Sequence, residues 1–261
     1  MSVQRHRSDP RILGRRTLEQ DHRVLAALLR PGLAVLDVGC GTGAITSGIA
    51  RAVAPNGTVV GLDRDEGHLR IARDHHSTLA NLTFAHGDAK SLTYDAQFDI
   101  VSAARTLQWI AEPSDAILNM KRAARNGGLI VVLDYSHVRN RWLPDPPRAF
   151  VRFYQAFLTW RHANGWDNEM ADRLSGLFRD AGLTDIESHV QDEIVERGDT
   201  DFAARSALWA EVIDNVGEQI ATAGFCTAAQ VNEARNSYSP WVTTELLKQT
   251  LSIRTVTGRV P

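Results

Sequence analysis

The chain has 261 residues, 43% hydrophobic and 23% charged, with a formal net charge of −2. These are the proportions of one large globular domain, or of one with a lid, and the near-neutral charge gives no general drive toward nucleic acid or an anionic membrane. No apolar run nears the ~20 residues that cross a bilayer, and Cys40 and Cys226 fit neither a metal-ligand spacing nor a disulfide framework, so no metal is expected and the reduced cytoplasm is the simplest setting.

Residues 1 to about 16 carry Arg5, Arg7, Arg11, Arg15 and Arg16 with little acid and no apolar stretch, which excludes a signal peptide. They read as a mobile arm whose arginine forks would also suit a ligand carboxylate. A helix is predicted from about Thr17 to Leu29, with Leu18, His22 and Leu25 near one face, and Pro31-Gly32 ends it. The first 30 residues thus form an arm and a helix, and residues 31–261 form the main domain.

Ala34 to Val38 is an apolar run with one acid, Asp37, as a strand covered on both faces would be. Gly39, Gly41 and Gly43 follow as a bend open to positive φ and to close ligand approach. A helix over Ala44 to about Val53 then presents its N–H groups and positive dipole end. Asn56-Gly57 turns the chain into a second strand, Thr58 to Leu62, which ends at Asp63, about 20 residues beyond Gly43, the spacing of a ribose-binding acid. A helix from Glu66 to His76, a strand near Leu82 to Ala85 and the turn His86-Gly87-Asp88-Ala89 come next. A fourth strand, Phe98 to Ala104, stops at Arg105-Thr-Leu-Gln-Trp109. Pro113 opens a helix to about Arg125, with Asn126-Gly127-Gly128 as its cap. Leu129 to Asp134 is the fifth buried strand.

Strand–helix alternation of this kind implies a doubly wound α/β sheet with right-handed crossovers, and ligands in such sheets bind beyond the carboxyl ends of the strands. Asp37 to Gly43, Asp63, Asp88 and Arg105 to Trp109 all fall there. The second half is aromatic-rich over 137–170 and helical over about 200–237. A helix near Ala171 to Ala181, a strand near Ile186 to Val195 and a final strand near Thr250 to Thr257 complete the pattern.

The bend has two readings. Gly39-x-Gly41-x-x-Ala44 satisfies the dinucleotide fingerprint G-x-G-x-x-G/A and leaves a nicotinamide-dependent oxidoreductase open. Asp37-Val-Gly-Cys-Gly-Thr-Gly43 resembles the first motif of class I S-adenosylmethionine (AdoMet) methyltransferases. Arg122-Ala-Ala-Arg-Asn-Gly-Gly-Leu-Ile130 resembles that family's R-x-L-K-P-G-G-x-x stretch, with Asn126 in place of the proline. Over residues 33 to 135 the chain looks like a small-molecule methyltransferase near the ubiquinone/menaquinone-methyltransferase group.

The resemblance implies a Rossmann-like seven-stranded sheet in the order 3-2-1-4-5-7-6, with strand 7 antiparallel and lid segments over about 137–170 and 200–240. It implies AdoMet as cofactor and S-adenosylhomocysteine as product. Asp37, Gly39, Cys40, Gly41 and Gly43 would shape the pocket for the methionine moiety. Asp63 would bind the ribose hydroxyls, as an acceptor-only carboxylate can, or else cap the following helix. Arg64 would stack on the adenine or lie exposed. Asp88 and the Ala89 N–H would meet the adenine, and the carbonyls of Arg105 and Thr106 the ammonium. Tyr135 and His137 are candidate bases should the acceptor need to lose a proton, with His162 a third. The expected partner is a small-molecule acceptor, with no nucleic acid and no membrane insertion, acted on by a monomer or homodimer. A cofactor-binding protein without transfer activity is the remaining alternative.

Overall fold

The computed structural model describes residues 9–261. Arg5 and Arg7 of the predicted arm lie outside them. Three short helices, α1 (Pro10–Leu13), α2 (Leu18–Asp21) and α3 (Arg23–Leu28), lead into β1 (Ala34–Val38), α4 (Ala44–Val53), β2 (Thr58–Asp63), α5 (Glu66–His75) and β3 (Leu82–His86). Next come β4 (Phe98–Ala104), α6 (Pro113–Ala123), β5 (Ala124–Tyr135), β6 (Arg141–Leu143), α7 (Arg148–Ala163), α8 (Met170–Asp180) and β7 (Thr184–Val190). The chain closes with β8 (Glu193–Glu196), α9 (Phe202–Ser206), α10 (Leu208–Thr222), α11 (Ala228–Thr244), β9 (Lys248–Leu251) and β10 (Ile253–Arg259).

Two compact units result. The larger runs to Asp134 and takes in Met170–Gln191 and Arg254–Pro261. Its seven strands follow the order β3-β2-β1-β4-β5-β10-β7. β1 to β5 pair in parallel, and β10 runs antiparallel to β7. Counting only the strands of this sheet, that is the anticipated order with its seventh strand reversed. The central strands are buried on both faces, which is why β1 and β4 read as nearly continuous apolar runs. On one face Leu36, Val101, Ile117, Met120, Leu174 and Phe178 form a core under α6 and α8. On the other, Leu18, Leu25, Ile49, Val53, Ile100 and Val131 pack under α2, α3 and α4. Each such side chain, fully buried, contributes roughly 1.5–3 kcal/mol.

Five local expectations need correction. Part of the predicted arm is helix α1, whose Asp9 side chain accepts from Arg11 N. The helix anticipated over 17–29 breaks at His22 (φ −147°, ψ 54°). The Asp21 carboxylate turns back to accept from Thr17 N at 2.8 Å, and the Asp21 carbonyl accepts from Arg105 and Gln191, so α2 ends there. Asn126 to Gly128 do not cap α6, which ends at Ala123. They open β5 instead, because Gly127 N donates to Val260 O and Val260 N to Gly128 O, both at 2.9 Å. The strand near 186–195 is two strands, since the Gln191 side chain leaves the ladder to accept from Val24 N and Thr255 Oγ1. The final strand likewise divides at Ser252 into β9 and β10.

The smaller unit comprises Tyr135–Glu169 and Asp192–Ile253. It holds a three-stranded antiparallel sheet, β6-β9-β8, and the helices α7, α9, α10 and α11. Its aromatic residues are its core. Phe150, Phe153, Tyr154, Phe157 and Trp160 of α7 are all buried. Phe150 stacks on Tyr238 with ring centroids 4.2 Å apart, and Trp209 meets Tyr154 edge-on at 4.8 Å. Such pairs add about 0.5–1.5 kcal/mol each beyond area burial.

Candidate active site

The bend after β1 is held by its own backbone. Gly39, Gly41 and Gly43 have φ of +76°, +55° and +76°, the left-handed region that glycine enters without strain. The N–H groups of Gly39 and Cys40 both donate to Leu62 O at the end of β2, at 2.7 and 3.0 Å. Gly41 N donates to Asp63 Oδ2 at 2.8 Å, and Asp65 N donates to Asp63 Oδ1 at the same distance. The cap of α5 is therefore Asp65, which accepts from His68 N, and not Asp63. Asp63 is tied to the glycine bend.

Asp37 lies beneath. Its carboxylate accepts from Thr46 Oγ1 at 2.6 Å and from Ser102 Oγ at 3.1 Å. Burial lifts its pKa to about 6; the hydroxyls of Thr46 and Ser102 pull the other way, and the neighbouring charge of Asp63 adds to the rise. Cys40 is a thiol held well above its ordinary pKa by burial and by the charges of Asp37 and Asp63. It therefore stays protonated and inert.

The other predicted residues arrive from β3 and β4. Gly87 N donates to Asp63 O at 3.0 Å, which sets the turn after β3 against the end of β2. Asp88 is exposed, with Oδ1 accepting from Lys90 N, while Ala89 is buried. Thr106 packs directly on Gly39 and donates to Ala104 O. The carbonyls of Arg105 and Thr106 accept from Gln108 Nε2 and Trp109 N at 3.4 and 3.1 Å. Arg64 is exposed, and its carbonyl contacts His86 Nε2.

The Arg105 side chain does something the sequence did not announce. It is buried, on a left-handed backbone (φ 57°), and its guanidinium reaches Asp21 Oδ1 at 3.2 Å and Asp21 O at 3.3 Å. The N-terminal segment is thereby fastened to the loop after β4. Leu13 reaches the bend as well, 3.0 Å from where a Cβ on Gly41 would sit. Neither contact has a motif; the only sequence signal was His22 on the buried face beside Leu18 and Leu25.

A family model described as a methyltransferase domain matches residues 29–181, more than half of the chain. The chain belongs to that methyltransferase family. A demethylmenaquinone methyltransferase of Staphylococcus aureus is 35% identical over 173 residues, covering 60% of this chain and 70% of that protein. Among solved structures, phosphoethanolamine N-methyltransferase 2 of Haemonchus contortus in complex with S-adenosyl-L-methionine superposes with a TM-score of 0.60 at 17% identity. The likeness covers 93% of this chain but 52% of that one, so the chain spans about half the length of the worm enzyme. A SAM-dependent methyltransferase from Aquifex aeolicus gives a TM-score of 0.55 at 16% identity, over 98% and 100% of the two chains.

The protein is thus an AdoMet-dependent methyltransferase that yields S-adenosylhomocysteine. The oxidoreductase reading of the glycine bend and the reading without transfer activity find no support. The residues of the methyltransferase fit the cofactor. An ionised carboxylate offers about four lone-pair sites, and the backbone occupies one on each oxygen of Asp63, which leaves acceptor capacity for ribose hydroxyls. Asp88 stands exposed one strand away.

In the smaller unit, Tyr135 and His137 stack with ring centroids 5.2 Å apart. Burial and the nearby Arg161 hold the His137 pKa well below its ordinary value, so the ring is neutral at physiological pH. His162 is exposed. No helix among the described residues is long and apolar enough to cross a membrane, and no cluster of three or more potential metal ligands occurs among them.

Proposed function

We propose that this methyltransferase holds AdoMet across the ends of β1 to β4 and methylates a small, planar, largely apolar acceptor. Asp37, Gly39, Cys40, Gly41 and Gly43 take the methionine moiety, and the carbonyls of Arg105 and Thr106 take its ammonium. Asp63 takes the ribose, Arg64 covers the adenine, and Asp88 with the Ala89 N–H reads the adenine edge. The observation that carries this reading is the bond from Gly41 N to Asp63 Oδ2, which joins the glycine bend and the strand-two acid into one cradle. Bound there, the cofactor supplies a methyl group already activated on a sulfonium. What remains for the chain is to orient the acceptor in line and keep water out.

The segments over 137–170 and 200–240 choose the acceptor. The region 200–240 lies outside the residues 29–181 that the family model matches. Tyr135 and His137 are the candidate bases for a hydroxyl acceptor, and the neutral His137 ring is in the form that accepts a proton. The enzyme works as a monomer or homodimer in the cytoplasm, without a nucleic-acid partner, consistent with two free thiols and a net charge of −2.

Calorimetry with S-adenosylhomocysteine tests the cradle. Asp63→Asn removes the charge and leaves one acceptor oxygen where two backbone N–H groups now bond, and it is expected to weaken binding about a hundredfold, with the melting temperature reporting whether the bend is kept. Equal affinity in the variant and the parent overturns the assignment. For the acceptor side, tritiated AdoMet and a panel of hydroxylated planar aromatics identify the substrate. His137→Asn is then expected to lower kcat about a hundredfold while S-adenosylhomocysteine affinity holds. An unchanged kcat removes His137 from the chemistry.

A further inference from the structure

Outside the cofactor cradle, the larger unit carries a cavity of about 240 Å³ between the segment Gly14–Glu19, the start and outer face of α4, and the end of α5. Thr42 and Ala44, on either side of Gly43, line it, whereas Asp63, Asp88 and Thr106 do not, so it adjoins the glycine bend without including the residues assigned to the ribose and adenine. Its walls are basic. Arg16, Arg51, His75 and His76 line it, and Glu19 is the one acid that does. Arg51 has no carboxylate partner among the described residues; Nη1 donates only to Ser47 Oγ, at 3.3 Å. Burial depresses the pKa of the half-buried His76, and the charges of His75 and Arg51 push it lower still, although the ring donates to the Thr42 carbonyl.

Thr42 is among the lining residues, although its hydroxyl oxygen is itself buried. Ala44 opens α4 here, and the N-cap, Gly43, offers no side chain to the first turn. The N–H groups of that turn have no intrahelical acceptor, and the dipole of a ten-residue helix favours an anion at this end. Two guanidinium groups, two imidazoles and a helix start converging from three chain segments suit a tetrahedral group with several acceptor oxygens more than a flat carboxylate. The volume is below the range of drug-sized pockets, so a phosphate with at most a short substituent fits.

We propose that this cavity is an anion site for a phosphoryl group, either free phosphate or the head of a small phosphate ester, separate from the site of methyl transfer. The test is titration of the protein, saturated with S-adenosylhomocysteine, with inorganic phosphate, followed by calorimetry and by amide and imidazole NMR. Saturable binding is expected, with the largest shifts at Thr42, Ala44 and His76. Arg51→Ala is expected to weaken it about tenfold, the loss of one charge-assisted contact, and Arg51→Lys is expected to recover part of that. Arg51 is exposed, so the variant keeps the fold, and an unchanged melting temperature verifies this. The proposal is overturned by non-saturable uptake, by equal affinity in Arg51→Ala, or by phosphate that binds only when S-adenosylhomocysteine is absent. The last result would place the anion in the cofactor cradle. Glycerol phosphate used in parallel separates the two sources: tighter binding than inorganic phosphate indicates an ester, and weaker binding indicates the free ion.

Discussion

Gly39→Ala is expected to destabilise the protein by about 3 kcal/mol, far more than the added methyl would suggest. A Cβ at this position would lie 2.3 Å from Thr106 Oγ1, 2.5 Å from Thr106 Cγ2 and 3.0 Å from Thr106 Cβ. The backbone, at φ +76°, is also in the region where an L side chain is strained. Left-handed strain contributes roughly 1–2 kcal/mol and overpacking about 1–3. Gly127 separates the two effects. It has the same φ, +76°, but no atom within 4 Å of a built Cβ, so Gly127→Ala should lose only the strain. The expected difference of roughly 2 kcal/mol between the variants then measures the closeness of Thr106 to the bend. In thermal unfolding it appears as a gap of about 4–8 °C. Adding Thr106→Ala to Gly39→Ala should return much of the loss, because two of the three close atoms disappear. Equal melting temperatures for Gly39→Ala and Gly127→Ala would remove Thr106 from the account. S-adenosylhomocysteine affinity should fall with stability in Gly39→Ala and stay unchanged in Gly127→Ala, since Gly127 bonds Val260 near the start of β5, away from the bend.

The same two glycines mark what the amino-acid sequence discloses and what it hides. The bend at Gly39 is legible because its physics is local: three glycines directly after a buried strand have few other conformations that place a helix start beside a ligand. For that reason β1, α4 and β4 fall where the apolar runs put them, and Asp63 and Asp88 fall at strand tips. Gly127 was misread because its role is decided about 130 residues away, where Val260 supplies the hydrogen bonds that turn a helix cap into strand. The break at His22 has the same origin. A helical pattern runs through it, and only Arg105 and Gln191, both distant in sequence, draw the Asp21 carbonyl out of the helix. The aromatic half was legible as composition but not as direction. Phe150, Tyr154 and Trp209 turn toward one another because each buries more area against a ring than against solvent, and no periodicity says which rings will meet.

His22 itself yields the second large effect. It is fully buried, and neither ring nitrogen has a hydrogen-bond partner among the described residues. Burial, with the charge of Arg105 beside it, drives its pKa down to about 3. The folded protein thus keeps this ring neutral between pH 6.5 and 3, whereas the unfolded chain protonates it. Stability must therefore fall as the pH falls through that window, by about 1.4 kcal/mol per unit. Asp37 has the opposite sign. Its folded pKa is about 6 against 3.8 unfolded, so the folded state binds the extra proton and gains stability as the pH falls from 6 to 3.8. Over that interval the two slopes offset each other, and His137, also held well below its ordinary pKa, adds to the sense of His22. His22→Leu removes one slope and two unpartnered polar atoms. It is expected to be neutral or stabilising by about 1–2 kcal/mol at pH 8 and to gain about 2 kcal/mol more over the parent at pH 5. Asp37→Asn should behave in mirror image, with its advantage over the parent shrinking by roughly 2–3 kcal/mol between pH 8 and pH 4. Urea unfolding of the three proteins at pH 8, 5 and 4 reads both. If His22→Leu loses as much stability as the parent between pH 8 and 5, the imidazole is not titrating out of its buried site, and the acid sensitivity of the fold belongs to other groups.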